Sequence, residues 1–338
     1  MDYVAPRWLP GGQLQTIWPA VAARRVFGAP PPYRRERWTA PDGDFIDVDF
    51  LDDGVAAEVP RPLLVLFHGL EGSSRSHYAE AFADMARERG WACALPHFRG
   101  CSGEVNLAPR AYHSGDHAEV AWILQRLRAA HRGPLLAVGI SLGGNVLLRW
   151  AGEAGACARV GADAVVAVCS PLDLAAAGRA MGRGFNRQVY TRMFLRTMVP
   201  KALQKWAQHP GLFDRRALLA AQDLYAFDNV FTAPLHGFRN TDDYWRRASA
   251  KPFLRGICIP ALAINALNDP FVPAASLPGP ADVSPCVRLW QPREGGHVGF
   301  AQGRLPGHVR ALPDVVGCWL AALLTVAAAP SGAESGHG

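Results

Sequence analysis

The stretch Leu135-Leu136-Ala137-Val138-Gly139-Ile140-Ser141-Leu142-Gly143 decides how the rest of the chain is read. Its first six residues are apolar or small without interruption, the pattern of a strand buried on both faces. After Ser141 the apolar residues Val146, Leu147 and Trp150 fall at helical spacing. A strand that runs straight into a helix forces the residue at the elbow into a strained backbone position, and its neighbours must be tiny. Gly139 and Gly143 meet that need because they lack the Cβ atoms that would clash. The helix that starts there aims its free N–H groups at any negative charge that develops nearby. G-x-S-x-G alone is common by chance, and a glycine-rich helix entry with a capping serine is the plain alternative. The strand-then-helix setting is what favours a nucleophile.

Working outward, Leu63 to Phe67 (LLVLF) is another buried strand, ending in His68-Gly69. His77 to Arg89 carries helical spacing and closes at Gly90, a natural stop. Trp91 to Pro96 is the next strand and Gly115 to Ala130 the next helix. Beyond the elbow come strands at Ala164 to Cys169, Ala261 to Leu267 and Val287 to Gln291, then a last helix from Ala311 to Ala327. This order predicts an α/β fold, a mostly parallel central sheet flanked by helices. Phe45 to Leu51 alternates apolar and acidic residues, which fits an antiparallel edge hairpin. Between Pro171 and about Lys251 the rhythm breaks into helical segments without a convincing strand, read as a helical cap over about residues 171–251. Residues 1–40, rich in proline, tryptophan and arginine, are expected to be an irregular segment packing on the core. Residues 41–329 form the domain, and residues 330–338 read as a disordered tail.

With 338 residues, 49% of them hydrophobic, the chain can bury one full core. Its formal charge of +6 is spread out, with no basic arm and no zinc or RNA-binding signature, so nucleic acid is not an expected partner. A mild preference for anionic surfaces or substrates is. The seven cysteines are scattered, without a C-x-x-C pair, and read as reduced and mostly core. No basic stretch followed by an apolar one opens the chain, so a cytoplasmic location is expected. The apolar run Val315 to Ala329 is short of the roughly 20 residues a membrane-spanning helix needs. It reads as a buried terminal helix, with membrane association as the alternative.

A serine hydroxyl is a weak nucleophile and needs a base; on such an elbow the partners follow in the order serine, acid, histidine. Of the histidines well beyond Ser141, His236 falls in the cap, His308 near the final helix and His337 in the tail. His297, in the glycine-rich loop Glu294 to Phe300 after the last strand, is the candidate base. Asp269 follows the strand of Ala261 to Leu267 and precedes Pro270, where a carboxylate can hold the histidine's Nδ1–H. Asp173, after the preceding core strand, is the rival, with capping or turn formation as the plain role of either. An oxyanion hole needs two backbone N–H groups, expected from Leu142 and from Leu70 in the loop after LLVLF. His68 is expected to shape that loop rather than act as a base. No H-E-x-x-H, P-loop or G-x-G-x-x-G after a strand occurs, so neither a metal nor a cofactor is implied.

Further stretches carry a resemblance: Pro10-Gly11-Gly12-Gln13-Leu14-Gln15-Thr16, Pro41-Asp42-Gly43-Asp44-Phe45, Phe98-Arg99-Gly100-Cys101-Ser102-Gly103-Glu104, and Phe227-Asp228 with Thr232 to Phe238 in the cap. Together with the elbow and the His68, Asp269 and His297 loops, they make nearly the whole chain resemble the YheT-like α/β-hydrolases. That family includes bacterial esterases, fungal ethanol acyltransferases and mammalian abhydrolase-domain lipases. Gln13 departs from it, standing where its opening motif has histidine. The resemblance implies an α/β-hydrolase fold and cleavage of a small-molecule ester with a short- to medium-chain acyl group, acylglycerols included. An acyltransferase or thioesterase would use the same three residues, and a silent binding protein is the alternative from another class. In the cap, Phe185, Tyr190, Met193, Phe194 and Met198 are candidates to face the acyl chain. Arg183, Arg187, Arg192 and Arg196 instead suggest a peripheral contact with an anionic lipid interface.

Overall fold

Eight strands join in one sheet in the order β1-β2-β4-β3-β5-β6-β7-β8. The computed structural model describes residues 3–52, 54 and 60–328, so the tail expected at 330–338 lies outside the described residues. Strands β3 (Leu63–Phe67), β4 (Ala92–Pro96), β5 (Leu135–Ile140), β6 (Ala164–Val168), β7 (Ala261–Ile264) and β8 (Val287–Trp290) run parallel. β3, β5 and β6 are buried along their whole length, which is why they read as unbroken apolar runs. Their residues alternate between two apolar layers. Val65, Phe67, Ala137 and Val165 face α3 (His117–Ala130) and α4 (Leu142–Ala154). Leu64, Leu66, Leu136 and Val166 face α2 (His77–Glu88) and the last helix, Ala311–Ala328.

The first forty residues are more regular than their composition suggests. Gly11–Val21 forms helix α1, and Tyr33–Thr39 forms β1, which pairs antiparallel with β2 (Phe45–Leu51). The reading of residues 1–40 as irregular is therefore corrected. The acidic residues of β2, Asp47 and Asp49, are buried. Arg35 lies opposite Asp49 and Arg37 opposite Asp47, and each pair closes an ion pair, at 2.6 and 2.8 Å, over a buried carboxylate. Of the seven cysteines, Cys93, Cys101 and Cys169 are buried and the other four exposed, so they are not mostly core residues.

Between β6 and β7 the described residues contain no strand. Helix α5 (Leu174–Met181) is followed by helices Arg192–Gln208, Arg215–Ala220, Leu224–Phe227 and Thr241–Ala248, with π turns at Arg187–Thr191 and Asp228–Thr232. No described helix is long and apolar enough to cross a membrane.

Buried Arg99 ties the edge hairpin to the sheet, bonding Asp44 and Glu119 at 2.8 Å each and Asp42 at 2.9 Å. Two of the resembling stretches thus meet in one ionic junction. Burial works to raise the Asp44 carboxyl, but the Asn106 amide and the N–H groups of Leu107, Phe45 and Ala108 outweigh it and hold it at about 2. A carboxyl lowered in the folded state stabilises fully above its unfolded value, about pH 4, and the contribution is lost as pH falls toward 2. Asp44→Asn is expected to destabilise by about 3 kcal/mol at pH 7 and by much less at pH 2. Urea midpoints measured at both pH values check this, and an equal deficit at both would contradict it.

Candidate active site

Ser141 sits between β5 and α4 with φ 52° and ψ −117°, a conformation that ordinary side chains avoid. Crowding makes the glycines around it obligatory. A Cβ on Gly139 would overlap the backbone of Gly143 and Gly144, and one on Gly143 would overlap the carbonyl oxygens of Phe67 and His68. The elbow is pinned by Ser141 N–H donating to Val168 O at 2.8 Å.

The three residues singled out for chemistry come together from three loops. His297 Nε2 lies 3.0 Å from Ser141 Oγ, and His297 Nδ1 lies 2.8 Å from Asp269 Oδ2. The other oxygen of Asp269 accepts the N–H of Phe271 at 2.7 Å, which fixes the carboxylate's orientation. The Phe271 ring stacks on the imidazole at 4.1 Å. With Nδ1–H held by the carboxylate, Nε2 is left as the acceptor for the serine proton. Asp173 stands elsewhere, capping α5 by accepting from Ala176 N–H at 3.0 Å. His236 is engaged by the carbonyls of Thr232 and Ala111, and His337 lies outside the described residues.

The loop after β3 faces the serine. Gly69 N–H donates to Tyr78 Oη and Glu71 N–H to Tyr112 Oη, each at 2.9 Å. The N–H of Leu70, between them, has no acceptor among the described residues, and neither has that of Leu142 in the first turn of α4. Both residues line the cleft at Ser141. His68 ties its loop to the one after β4, with Nδ1–H on Gly69 O at 2.7 Å and Nε2 accepting Phe98 N–H at 3.0 Å. Burial, then neighbouring His97, push its pKa down to about 3, so it stays neutral.

The cleft encloses about 1170 Å³, part of it open to solvent. Its lining includes the apolar residues Leu174, Ala177 and Met181 of α5, Phe194 and Met198 of the helix Arg192–Gln208, and Phe271. Glu71, Arg99, Asn106 and Lys201 line it too. Lys201 Nζ lies 2.9 Å from Glu71 Oε2 but off the line of a hydrogen bond. Of the five cap residues expected to face an acyl chain, Phe194 and Met198 line the cleft. Phe185 and Met193 point outward, and Tyr190 is buried against Phe271.

Cys169, Asp269 and His297 offer ligand atoms within 4.8 Å of one another. Burial, then the Asp269 charge, hold the Cys169 thiol well above its ordinary pKa, so it is protonated. It accepts Val298 N–H at 3.2 Å, a hydrogen-bonding role suited to a thiol rather than a metal-bound thiolate.

Helix α1 is the part of the site that sequence reasoning missed. Thr16 Oγ1 accepts His297 N–H at 2.8 Å, and Gln15 Oε1 accepts Gly295 N–H at 2.9 Å and Asn268 Nδ2–H at 2.8 Å. Asn268 Oδ1 accepts Gly296 N–H at 3.0 Å. Three side chains thus join the loops that carry Asp269 and His297. Gly12 and Gly299 let the backbones touch, since a Cβ on either would overlap a carbonyl oxygen, of Asn268 or Gln15. The signal was present in the Pro10 to Thr16 stretch, but with no charged or nucleophilic group it showed no chemistry.

The fold places the chain among α/β-hydrolases, and comparison with known proteins agrees. The model of the alpha/beta hydrolase fold family matches residues 62–303. The Escherichia coli protein named "Putative esterase YheT" is 37% identical over 326 residues, which is 96% of this chain and 94% of its own. Mouse "Phospholipase ABHD3" is 30% identical over 287 residues, covering 82% of this chain and 68% of its own. The Pyrococcus furiosus esterase Pf2001 shares the fold with a TM-score of 0.54 at 15% identity, covering 90% of this chain and 98% of that one. This chain belongs to the YheT-like α/β-hydrolases, within the esterase and lipase type of that fold.

Replacing Thr16 by valine keeps its shape but removes the acceptor for His297 N–H. The expected result is a kcat on a soluble ester lower by roughly 10- to 100-fold with little change in KM or melting temperature, and recovery in Thr16→Ser. Equal losses in both variants would assign Thr16 a packing role only.

Proposed function

We propose that this chain is a serine hydrolase that cleaves carboxylic esters through an acyl-enzyme on Ser141, with His297 as general base and Asp269 as the acid that orients it. The observation that carries the reading is the continuous row from Asp269 Oδ2 to His297 to Ser141 Oγ, 2.8 and 3.0 Å, at the floor of an apolar cleft. In this reading His297 Nε2 takes the Ser141 proton as Oγ adds to the ester carbonyl. The N–H groups of Leu70 and Leu142 receive the negative oxygen. The imidazolium returns its proton to the departing alcohol, leaving the acyl group on Ser141. A water then enters and gives a proton to His297 as its oxygen adds to the acyl carbonyl, and the imidazolium returns that proton to Ser141 Oγ as the bond to serine breaks and the acid departs.

The apolar wall of Leu174, Met181, Phe194 and Met198 suits an acyl chain, and the relatives named an esterase and a phospholipase favour an oxygen ester as the substrate. Short- to medium-chain acyl esters, acylglycerols among them, fit that wall. Each methylene buried there contributes about 0.8 kcal/mol, so kcat/KM should rise severalfold per added pair of carbons and fall once the cleft is full.

Labelling by a fluorophosphonate probe tests the nucleophile directly. Wild type should label and Ser141→Ala should not, with ester turnover down about 10⁶-fold in Ser141→Ala and His297→Ala and about 10⁴-fold in Asp269→Asn. Comparable loss in Asp173→Asn with Asp269→Asn unharmed would reassign the acid. A panel of p-nitrophenyl esters from acetate to palmitate reads the acyl preference, and a flat profile would deny the cleft an acyl-binding role.

A further inference from the structure

The cap helix that roofs the cleft has a second, outward face. Phe185, Val189 and Met193, four residues apart, are 50%, 37% and 50% exposed. The π turn at Arg187–Thr191 winds wider than an α-helix and keeps positions four apart nearly in line. Isolated exposed apolar side chains are ordinary on a protein surface; a row of three on one element is a patch.

Beside the row runs a surface groove lined by Arg187, Arg192 and Arg196 with Gln188, Leu195 and Val199, and no carboxylate lines it. None of the three arginines forms an ion pair with Asp or Glu among the described residues, and Arg187 bonds only the Gln222 amide oxygen, at 3.1 Å. An apolar row flanked by unneutralised guanidinium groups is complementary to a surface with phosphates outside and hydrocarbon beneath. The patch also connects to the site. Phe185 contacts Tyr190 at 5.9 Å, Tyr190 contacts Phe271 at 4.5 Å, and Phe271 stacks on His297.

We propose that this face docks the protein on an anionic lipid bilayer, with Arg187, Arg192 and Arg196 on headgroup phosphates and Phe185, Val189 and Met193 entering the acyl boundary. The chain's net charge of +6 draws it toward such a surface. Docking does not depend on which reaction the cleft performs.

Flotation of the full chain with vesicles tests this. Binding is expected to phosphatidylcholine vesicles containing roughly 30 mol% phosphatidylglycerol and not to phosphatidylcholine alone. Each arginine near such a surface contributes about fivefold, so the triple variant R187Q/R192Q/R196Q should partition about a hundredfold less. The corresponding Arg→Lys triple should retain most of the binding, and salt at about 0.5 M should abolish it. Phe185→Ser combined with Met193→Ser should also weaken it. Circular dichroism melts and unchanged turnover of a water-soluble acetate ester show that the arginine variants are folded. Failure of wild type to float with the anionic vesicles, or undiminished flotation of the Arg→Gln variant, overturns the proposal. A failure of the ester-cleavage reading would appear instead in the probe labelling and leave the flotation result standing.

Discussion

Backbone meets backbone without side chains between them wherever the candidate site is built. The start of α4 lies on the carbonyls at the end of β3, which only glycine at 143 permits, and α1 lies on the Asp269 and His297 loops through Gly12 and Gly299. Such contacts leave little freedom. Glu71, Ser141, Cys169, Val298 and Phe300 all hold positive φ, and each sits on a loop that faces the site. Strain of this kind costs about 1–3 kcal/mol per residue and persists only where the surroundings over-determine the backbone. Here the surroundings are two apolar layers whose inner residues are almost wholly removed from water.

How much of this was legible depended on whether a signal was local. The parallel strands announced themselves because burial on both faces demands unbroken apolar runs, as in LLVLF and LLAVGI. The elbow was legible because its steric demand is met by Gly139 and Gly143, each two positions from Ser141. The positions of Asp269 and His297 could be guessed from chain order, as each follows a strand end. Helix α1 and strand β1 were not legible. α1 contains two glycines and a proline, poor helix formers, and its conformation is set by residues near 268 and 295. β1 reads YRRERWT, a sequence that looks like solvated loop until the buried aspartates of β2 appear opposite its arginines.

Gln13 links three parts that are far apart in sequence. Its amide donates to Asn186 Oδ1 at 3.1 Å and its oxygen accepts Tyr190 Oη–H at 2.6 Å, while Asn186 in turn donates to Pro270 O. α1 therefore joins the cap, the Asp269 loop and the His297 loop at once. The family resemblance places histidine at this position. Glutamine supplies a donor and an acceptor at any pH, so this junction keeps both bonds without a titrating ring.

The clamp between α1 and the His297 loop also has a consequence for the order in which the molecule is made. Thr16 and His297 are 281 residues apart, and Gln15 and Gly295 are 280 apart. A chain synthesised from its N-terminus must hold α1 without its partner until nearly all of the sheet exists, since contacts this distant close last. The sheet's parallel core can form from β3 to β6 before then. Under the proposed function, the arrangement of Asp269 and His297 at Ser141 therefore closes late, after the residues of nearly all of the sheet have been made.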